Sequence, residues 1–125
     1  LHALEEVAED ALLVPLADSH RRIQNITRGL PPVSALPEDL PLADPEEITL
    51  RRAAETAAPV ILQFLQQKEY VRAIRACEEL AAPVTLFFDR ILVMATDERI
   101  RNARLLLLCY LKHILGFVCD YSKLT

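Results

Sequence analysis

The sequence predicts an all-α fold, and three observations lead to this prediction. The 125 residues include only two glycines and no tryptophan, while Ala, Leu, Glu and Arg, which all favour helices, are the most frequent residue types. Apolar residues recur at the spacing of a helical face rather than in the alternation of a strand. Long β-branched runs, from which a sheet could be built, are missing from the sequence. We therefore expect a single-domain helical bundle of about five helices.

Prolines and helix-terminating residues set the boundaries of the predicted helices. Four prolines between about residues 30 and 44 predict an extended, exposed loop, because proline cannot continue a helix. Pro59 should kink the helix that contains it, and Pro83 either bends its helix or opens a further one. Gly29 is a plausible helix terminator. The predicted helices cover residues 2–13, 15–27, 45–67, 69–82 with a continuation to 93, and 97–120.

Two helix starts are marked clearly. In the segment from Asp44 to Glu47, the aspartate caps the helix, proline takes the first position and two acids face the positive end of the helix dipole. Thr96 or Asp97 should cap the last helix. Since the chain opens on Leu1 and not on methionine, we expect it to be a piece of a longer protein.

Composition argues against several kinds of site. The most apolar stretch, residues 105–119, is shorter than a membrane span and carries Lys112 and His113, so it is predicted to be a core helix. Cysteines 77, 109 and 119 stand singly, which predicts reduced core thiols in a cytosol-like compartment and no metal site. The sequence contains neither a glycine-rich phosphate loop nor a useful carboxylate pair. We expect no catalysis by this chain alone.

The net charge of −4 is unevenly distributed, with −7 in residues 1–50 and +3 in residues 51–125. Because local patches decide binding to nucleic acid, the cationic rows matter more than the total. Arg21, Asn25 and Arg28 share one face of the second predicted helix, with Arg22 at its margin and Ile23 opposite. Guanidinium groups bind phosphate and stack on bases, so this face is a candidate RNA-binding surface. The alternative is an ordinary solvated face.

The last predicted helix offers a second candidate surface. Arg101, Arg104 and Lys112 fall within an arc of roughly 80°. The two arginines alternatively pair with acids such as Asp89 or Asp97. A third cationic row is interpreted as a solvated face because acids lie beside it, and a further apolar group is interpreted as core. The third row is Lys68, Arg72 and Arg75, and the expected core group is Phe87, Phe88, Ile91, Leu92 and Met94.

Three ordered blocks in residues 82–124 resemble a known family. They read Pro-Val-x-x-Phe-Phe-Asp from Pro83, Val-Met-x-x-Asp from Val93, and Arg-x-x-Arg-Leu-x-Leu-Leu from Arg101. In this order and spacing they resemble the C-terminal anticodon-binding domain of the bacterial and plastid glycyl-tRNA synthetase β subunit. The family usually has Arg-x-Asn-Arg-Leu in the third block, whereas here the asparagine, Asn102, is displaced by one residue. The Arg22-Ile23 and Asn25-Ile26 pairs also match the family.

The resemblance implies a helical domain that grips the anticodon limb of glycine tRNA. The parent ligase would contain an α subunit, which makes glycyl-adenylate with ATP and Mg²⁺, and the rest of the β subunit. It would act in the bacterial cytoplasm or the plastid stroma, with neither DNA nor a membrane as partner. Glycine anticodons contain two cytosines, whose pairing edge suits Arg or Asn donors combined with a carboxylate or carbonyl acceptor.

Two other functions stay open at this point. One is a helical protein-interaction module whose acidic first helix or proline-rich loop binds a partner protein. The other is the related domain of arginyl-tRNA synthetase. The Val-Met-x-x-Asp block and the Asp-Tyr-Ser-Lys-Leu ending from Asp120 count against this second alternative.

Overall fold

The computed structural model describes residues 13–122, with side chains from residue 17 to residue 117. All regular elements in this range are α-helices, which confirms the predicted all-α class. Residues 2–12 of the helix expected over residues 2–13 lie outside the described residues. The helices are α1 (Leu13–Ile26), α2 (Pro45–Gln66), α3 (Tyr70–Glu78), α4 (Ala81–Arg90) and α5 (Glu98–Ser122).

The two predicted helix starts are confirmed. Asp44 is the N-cap of α2, and its backbone N–H donates to Glu47 Oε1 at 3.2 Å. Asp97 Oδ1 accepts from the N–H groups of Arg99, at 2.9 Å, and of Ile100, at 3.3 Å, at the start of α5. Each cap satisfies backbone donors that have no partner inside the helix.

The proline positions have different outcomes. Pro59 lies inside α2 without ending it, and the kink expected there stays a prediction. Pro83 lies in the first turn of α4, a position that tolerates proline because its missing N–H would have no helical partner. The predicted helix over residues 69–82 is therefore two helices, and the first of them ends at Glu78. Gly29 follows α1 with a φ of +84°, which suits its expected role as terminator.

The core lies where α2 packs against α3, α4 and α5, and where α1 packs against α4 and α5. Helices pack in this way because each has an apolar stripe that must be removed from water. The largest fully buried side chains are Phe87, Ile23, Leu50, Ile61, Ile74, Leu80, Leu107, Leu108, Leu111, Ile114 and Leu115.

The proline-rich loop between α1 and α2 is non-helical, as predicted, but it is anchored to the bundle. The Val33 N–H donates to the carbonyl of Cys109 in α5 at 3.3 Å. Arg51 Nη2 donates to the Pro37 carbonyl at 2.7 Å. Leu36 and Leu42 are half-buried and pack against the core. The loop thus runs along α5 from its middle towards its first turns.

Arg104 joins three segments of the chain. Its Nη1 donates to the Leu92 carbonyl at 2.6 Å, and its Nη2 donates to Asp44 Oδ2 at 3.2 Å. Its Nε lies 3.6 Å from Glu47 Oε2. The side chains of Arg104 and Glu47 are only 11% and 3% exposed. We call these contacts the Arg104 clasp, because they tie the start of α2 and the turn after α4 to α5.

Leu107→Ala and Ile114→Ala should each lower the free energy of unfolding by about 2–4 kcal/mol, since each leaves a cavity in the core. The measurement is chemical denaturation of each variant. Leu92→Ala is the control, because Leu92 is 72% exposed and its truncation should change stability by less than about 0.5 kcal/mol. Equal small losses in all three variants would contradict the assignment of α5 to the core.

Arg104→Ala should lower the free energy of unfolding by about 3 kcal/mol, because the buried Glu47 carboxylate loses its cation. Glu47→Gln in the same chain should recover part of this loss. Arg101→Ala is a matched control: its Nη1 donates to the Ala95 carbonyl at 3.3 Å, and its loss should cost about 1 kcal/mol. If both arginine variants unfold alike, the clasp does not have the role assigned to it.

Candidate nucleic-acid interface

In the first predicted RNA-binding surface, Arg21, Arg22 and Asn25 lie on α1, whereas Arg28 lies in the turn that follows, because α1 ends at Ile26. We call these four residues the α1 surface. Its side chains are exposed, whereas Ile23 on the opposite side of the helix is fully buried. Arg21 pairs with Asp18 at 3.4 Å, and both side chains are more than half exposed. Arg28 Nη2 donates to Asn25 Oδ1 at 3.3 Å, also in solvent. Exposed contacts of this kind contribute little to stability, so a ligand can replace them at small cost.

Arg22 has a different environment from its neighbours on this surface. Its guanidinium carbon lies 4.3 Å from the centre of the Phe88 ring in α4. Phe88 is half-buried and meets the buried Phe87 edge-on, with the ring centres 5.8 Å apart. Cation–π contact of this kind attracts the guanidinium to the ring face and limits its freedom. A cation held in this way can bind a phosphate or carry a stacked base.

The second predicted surface is engaged inside the molecule. Lys112 Nζ donates to the carbonyls of Leu30, at 2.9 Å, and Thr27, at 3.4 Å, which lie just after α1. Arg101 donates to the Ala95 carbonyl, and Arg104 forms the clasp. The structure therefore gives all three side chains a contact that holds the fold together. That these three residues bind tRNA stays a prediction.

The alternative pairing of the two arginines with Asp89 or Asp97 is wrong in its choice of acids. Among the described residues, Arg104 pairs instead with Asp44 and Glu47, from the start of α2. Asp97 is used as the cap of α5. Helical spacing indicates which residues of α5 share a face, but not that α2 begins beside them.

The third cationic row is a solvated surface, as expected. Lys68, Arg72 and Arg75 are exposed. Arg72 lies 3.6 Å from Glu69, with its side chain 68% exposed. This row therefore supplies a comparison for the α1 surface, because it has the same sequence spacing as Arg21, Asn25 and Arg28 but carries three cations instead of two cations and an amide.

The expected core group between α4 and α5 needs a correction. Leu92 and Met94 are 72% and 55% exposed, whereas Ile91 and Val93 are 8% and 4% exposed. The reason is that α4 ends at Arg90 and the chain becomes extended at Ile91, with φ −116° and ψ 129°. Successive side chains of extended backbone point to opposite sides, so alternate residues face solvent.

A cleft that the sequence analysis missed lies between the proline-rich loop and the first turns of α5. We call it the loop cleft. Its volume is about 390 Å³, and its polar lining consists of Asp39, Arg99 and Asn102. The spacing of Arg99 and Asn102, one helical turn apart, was visible in the sequence. The approach of Asp39 was not, because it depends on how a loop without helical periodicity docks on α5.

Three features of the described residues bear on metal, membrane and thiol chemistry. No group of three or more His, Cys, Asp or Glu side chains in this part of the chain could hold a metal ion. None of its helices is both long enough and apolar enough to cross a membrane. Cys77 and Cys109 are buried thiols. Burial raises the pKa of the Cys109 thiol, although the nearby Lys112 opposes this, so Cys109 is predominantly protonated at neutral pH.

Comparison with known proteins now identifies the family. The model of the DALR anticodon binding domain matches residues 16–118. A glycine–tRNA ligase β subunit from Geotalea uraniireducens is 35% identical over 111 residues, covering 89% of this chain and 16% of the relative. That of Geobacter metallireducens is 32% identical over 123 residues, covering 98% of this chain and 18% of the relative.

The β subunit of Marinobacter nauticus is 34% identical over 111 residues, covering 87% of this chain and 16% of the relative. The chain thus spans 16–18% of the length of these relatives. The search of solved structures gave no significant match. The family resemblance inferred from residues 82–124 is confirmed and extends over most of the chain. The chain belongs to the family of DALR anticodon-binding domains.

Proposed function

We propose that this chain is the anticodon-binding domain of a glycine–tRNA ligase β subunit. In this role it holds the anticodon limb of glycine tRNA while the ligase aminoacylates the other end. The observation that carries the proposal is the similarity to β subunits, which extends over 87–98% of the chain in the three relatives above. All three are glycine–tRNA ligase β subunits, which favours glycine over arginine as the amino acid of the parent enzyme.

The α1 surface is the part of the domain best suited to the RNA backbone. It presents Arg21, Arg22 and Arg28 to solvent, next to the Asn25 amide. Phosphate groups attract these cations over a distance of several ångströms, which raises the rate of encounter and orients the RNA. The Arg22 guanidinium on Phe88 adds a flat group on which a loop base can stack.

The chemical step is assigned to other parts of the parent enzyme. Glycyl-adenylate formation with ATP and Mg²⁺ belongs to the α subunit in this proposal, and the remainder of the β subunit completes the assembly. The described residues of this chain lack a suitable group of metal ligands. No step of the reaction is therefore assigned to them. The bacterial cytoplasm or the plastid stroma is the proposed compartment.

The direct test is titration of the chain with glycine tRNA and with a version changed in its anticodon. We expect tighter binding of the unchanged tRNA, and an affinity that falls steeply as salt rises, because the cations displace counterions from phosphate. Equal affinity for the two tRNAs would contradict anticodon binding. Weak binding without salt dependence would instead favour the protein-interaction alternative.

Replacing Arg21, Asn25 and Arg28 together by alanine should reduce affinity for glycine tRNA tenfold or more. Two cations and one amide are lost from the surface, and a good contact of this kind is worth about 1–3 kcal/mol. Stability should change by less than about 0.5 kcal/mol per residue, since the side chains are exposed. In the parent enzyme the KM for tRNA should rise, while glycyl-adenylate formation stays unchanged.

The control for the triple variant is Lys68→Ala with Arg72→Ala, which removes two exposed cations from a different surface. It should leave tRNA affinity within about twofold of the unchanged chain, because cations remote from the contact act only through screened charge. If the triple variant is stable and binds tRNA normally, the binding surface must be sought at Arg101, Arg104 and Lys112.

A further inference from the structure

The loop cleft has walls that are held in place by contacts elsewhere in the bundle. On one side, the Pro37 carbonyl accepts from Arg51, and the Leu42 N–H donates to the Leu40 carbonyl at 2.7 Å. On the other side, the Asp97 cap holds the first turn of α5. The volume of about 390 Å³ lies in the range of cavities that take small organic groups.

The polar side chains of the cleft are available to a ligand. Asp39, Arg99 and Asn102 are all exposed, and within the described part of the chain none of their side chains makes a hydrogen bond or an ion pair. Leu40 and Leu106 also line the cleft, and these half-buried side chains provide an apolar surface. One carboxylate acceptor, one guanidinium fork and one amide thus surround a space with a partly apolar lining.

This set of groups complements the pairing edge of cytosine. Cytosine presents an amino donor, which a carboxylate accepts, beside a ring nitrogen and a carbonyl oxygen, which a guanidinium and an amide can bond. Uracil presents a carbonyl oxygen where cytosine has its amino group, and this oxygen would face the carboxylate of Asp39. Bases of single-stranded loops expose their pairing edges and are read in this way.

We propose that the loop cleft binds one cytosine of the anticodon. Asp39 accepts a hydrogen bond from the cytosine amino group, while Arg99 and Asn102 donate to the ring nitrogen and the carbonyl oxygen. The proposal rests on the proposed function, because glycine anticodons supply the cytosines. It adds a pocket and three specificity-determining residues, none of which belongs to the α1 surface.

The cleft and the end of α1 both lie against α5. Lys112 holds the end of α1, and Asn102 lies ten residues earlier on α5. At 1.5 Å per residue, this separation is about 15 Å along the helix. In the proposed complex, the α1 cations hold the RNA backbone while a splayed base enters the cleft.

The test is Asp39→Asn in the whole chain, titrated with glycine tRNA and with two tRNAs in which one anticodon cytosine or the other is changed to uracil. The unchanged protein should prefer cytosine tenfold or more at both positions. An asparagine amide can donate to the uracil carbonyl, so the variant should bind the uracil tRNA better than the unchanged protein does. Its preference for cytosine should fall at least tenfold at one of the two positions only.

Glu38→Gln is the matched control, because it removes the same charge from the neighbouring exposed residue, which does not line the cleft. It should keep full preference for cytosine. Arg99→Lys is the second variant: it retains the charge and the salt dependence but loses the guanidinium fork, so cytosine preference should fall at the same position as in Asp39→Asn. Circular dichroism melting shows that each variant is folded.

The outcomes distinguish a failure of the pocket proposal from a failure of the proposed function. If the unchanged chain prefers cytosine at both positions and both cleft variants keep that preference, the pocket proposal is overturned and anticodon binding stands. If the unchanged chain does not distinguish the tRNAs, both proposals are overturned. A loss of preference in Glu38→Gln equal to that in Asp39→Asn would show a general charge effect and would also overturn the pocket.

Discussion

The Arg104 guanidinium is the contact on which the positions of several other segments depend. Its partners, Leu92, Asp44 and Glu47, come from the turn after α4 and from the start of α2. Because the Glu47 carboxylate is buried, it needs a cation in a fixed place, and α5 provides that cation. The clasp therefore sets where α2 begins relative to α5. The proline-rich loop must end at the same point, since Asp44 is its last residue before α2.

From Asp44 the proline-rich loop runs back along α5, and contacts with α5 also hold the other end of the loop, next to α1. Lys112 donates to carbonyls that follow α1, and the Cys109 carbonyl accepts from Val33. The backbone groups of a loop need partners when they lie against a core, and α5 supplies both a donor and an acceptor. One helix thus positions the end of α1 and the wall of the loop cleft. Cations that face inward hold segments of the chain in place through hydrogen bonds and ion pairs, while cations that face outward are exposed and available to a ligand.

Much of the fold could be predicted because its signals are local. The cap and proline at Asp44 and Pro45 place the start of α2, and Asp97 places the start of α5, within a few residues of sequence. The role of Arg104 could not be predicted in the same way. Helical spacing gives the direction of its side chain but not its partners. Leu92 lies 12 residues earlier in the chain, and the two acids, Asp44 and Glu47, lie 60 and 57 residues earlier. The loop cleft is non-local for the same reason, since Asp39 reaches α5 only after the loop has docked.

The residues that make the family recognisable act mainly in folding. Phe87 and Leu107 are fully buried, Asp97 caps α5, and Arg104 forms the clasp. Such residues fix a scaffold, and a match to them therefore predicts the fold more directly than the RNA contacts. Selectivity for a base depends on groups that are exposed before the ligand arrives, and Asp39 in the loop cleft is such a group. Asp39 lies outside the three blocks, whereas Asn102 lies inside the third block, so the family pattern covers only part of the proposed base contact.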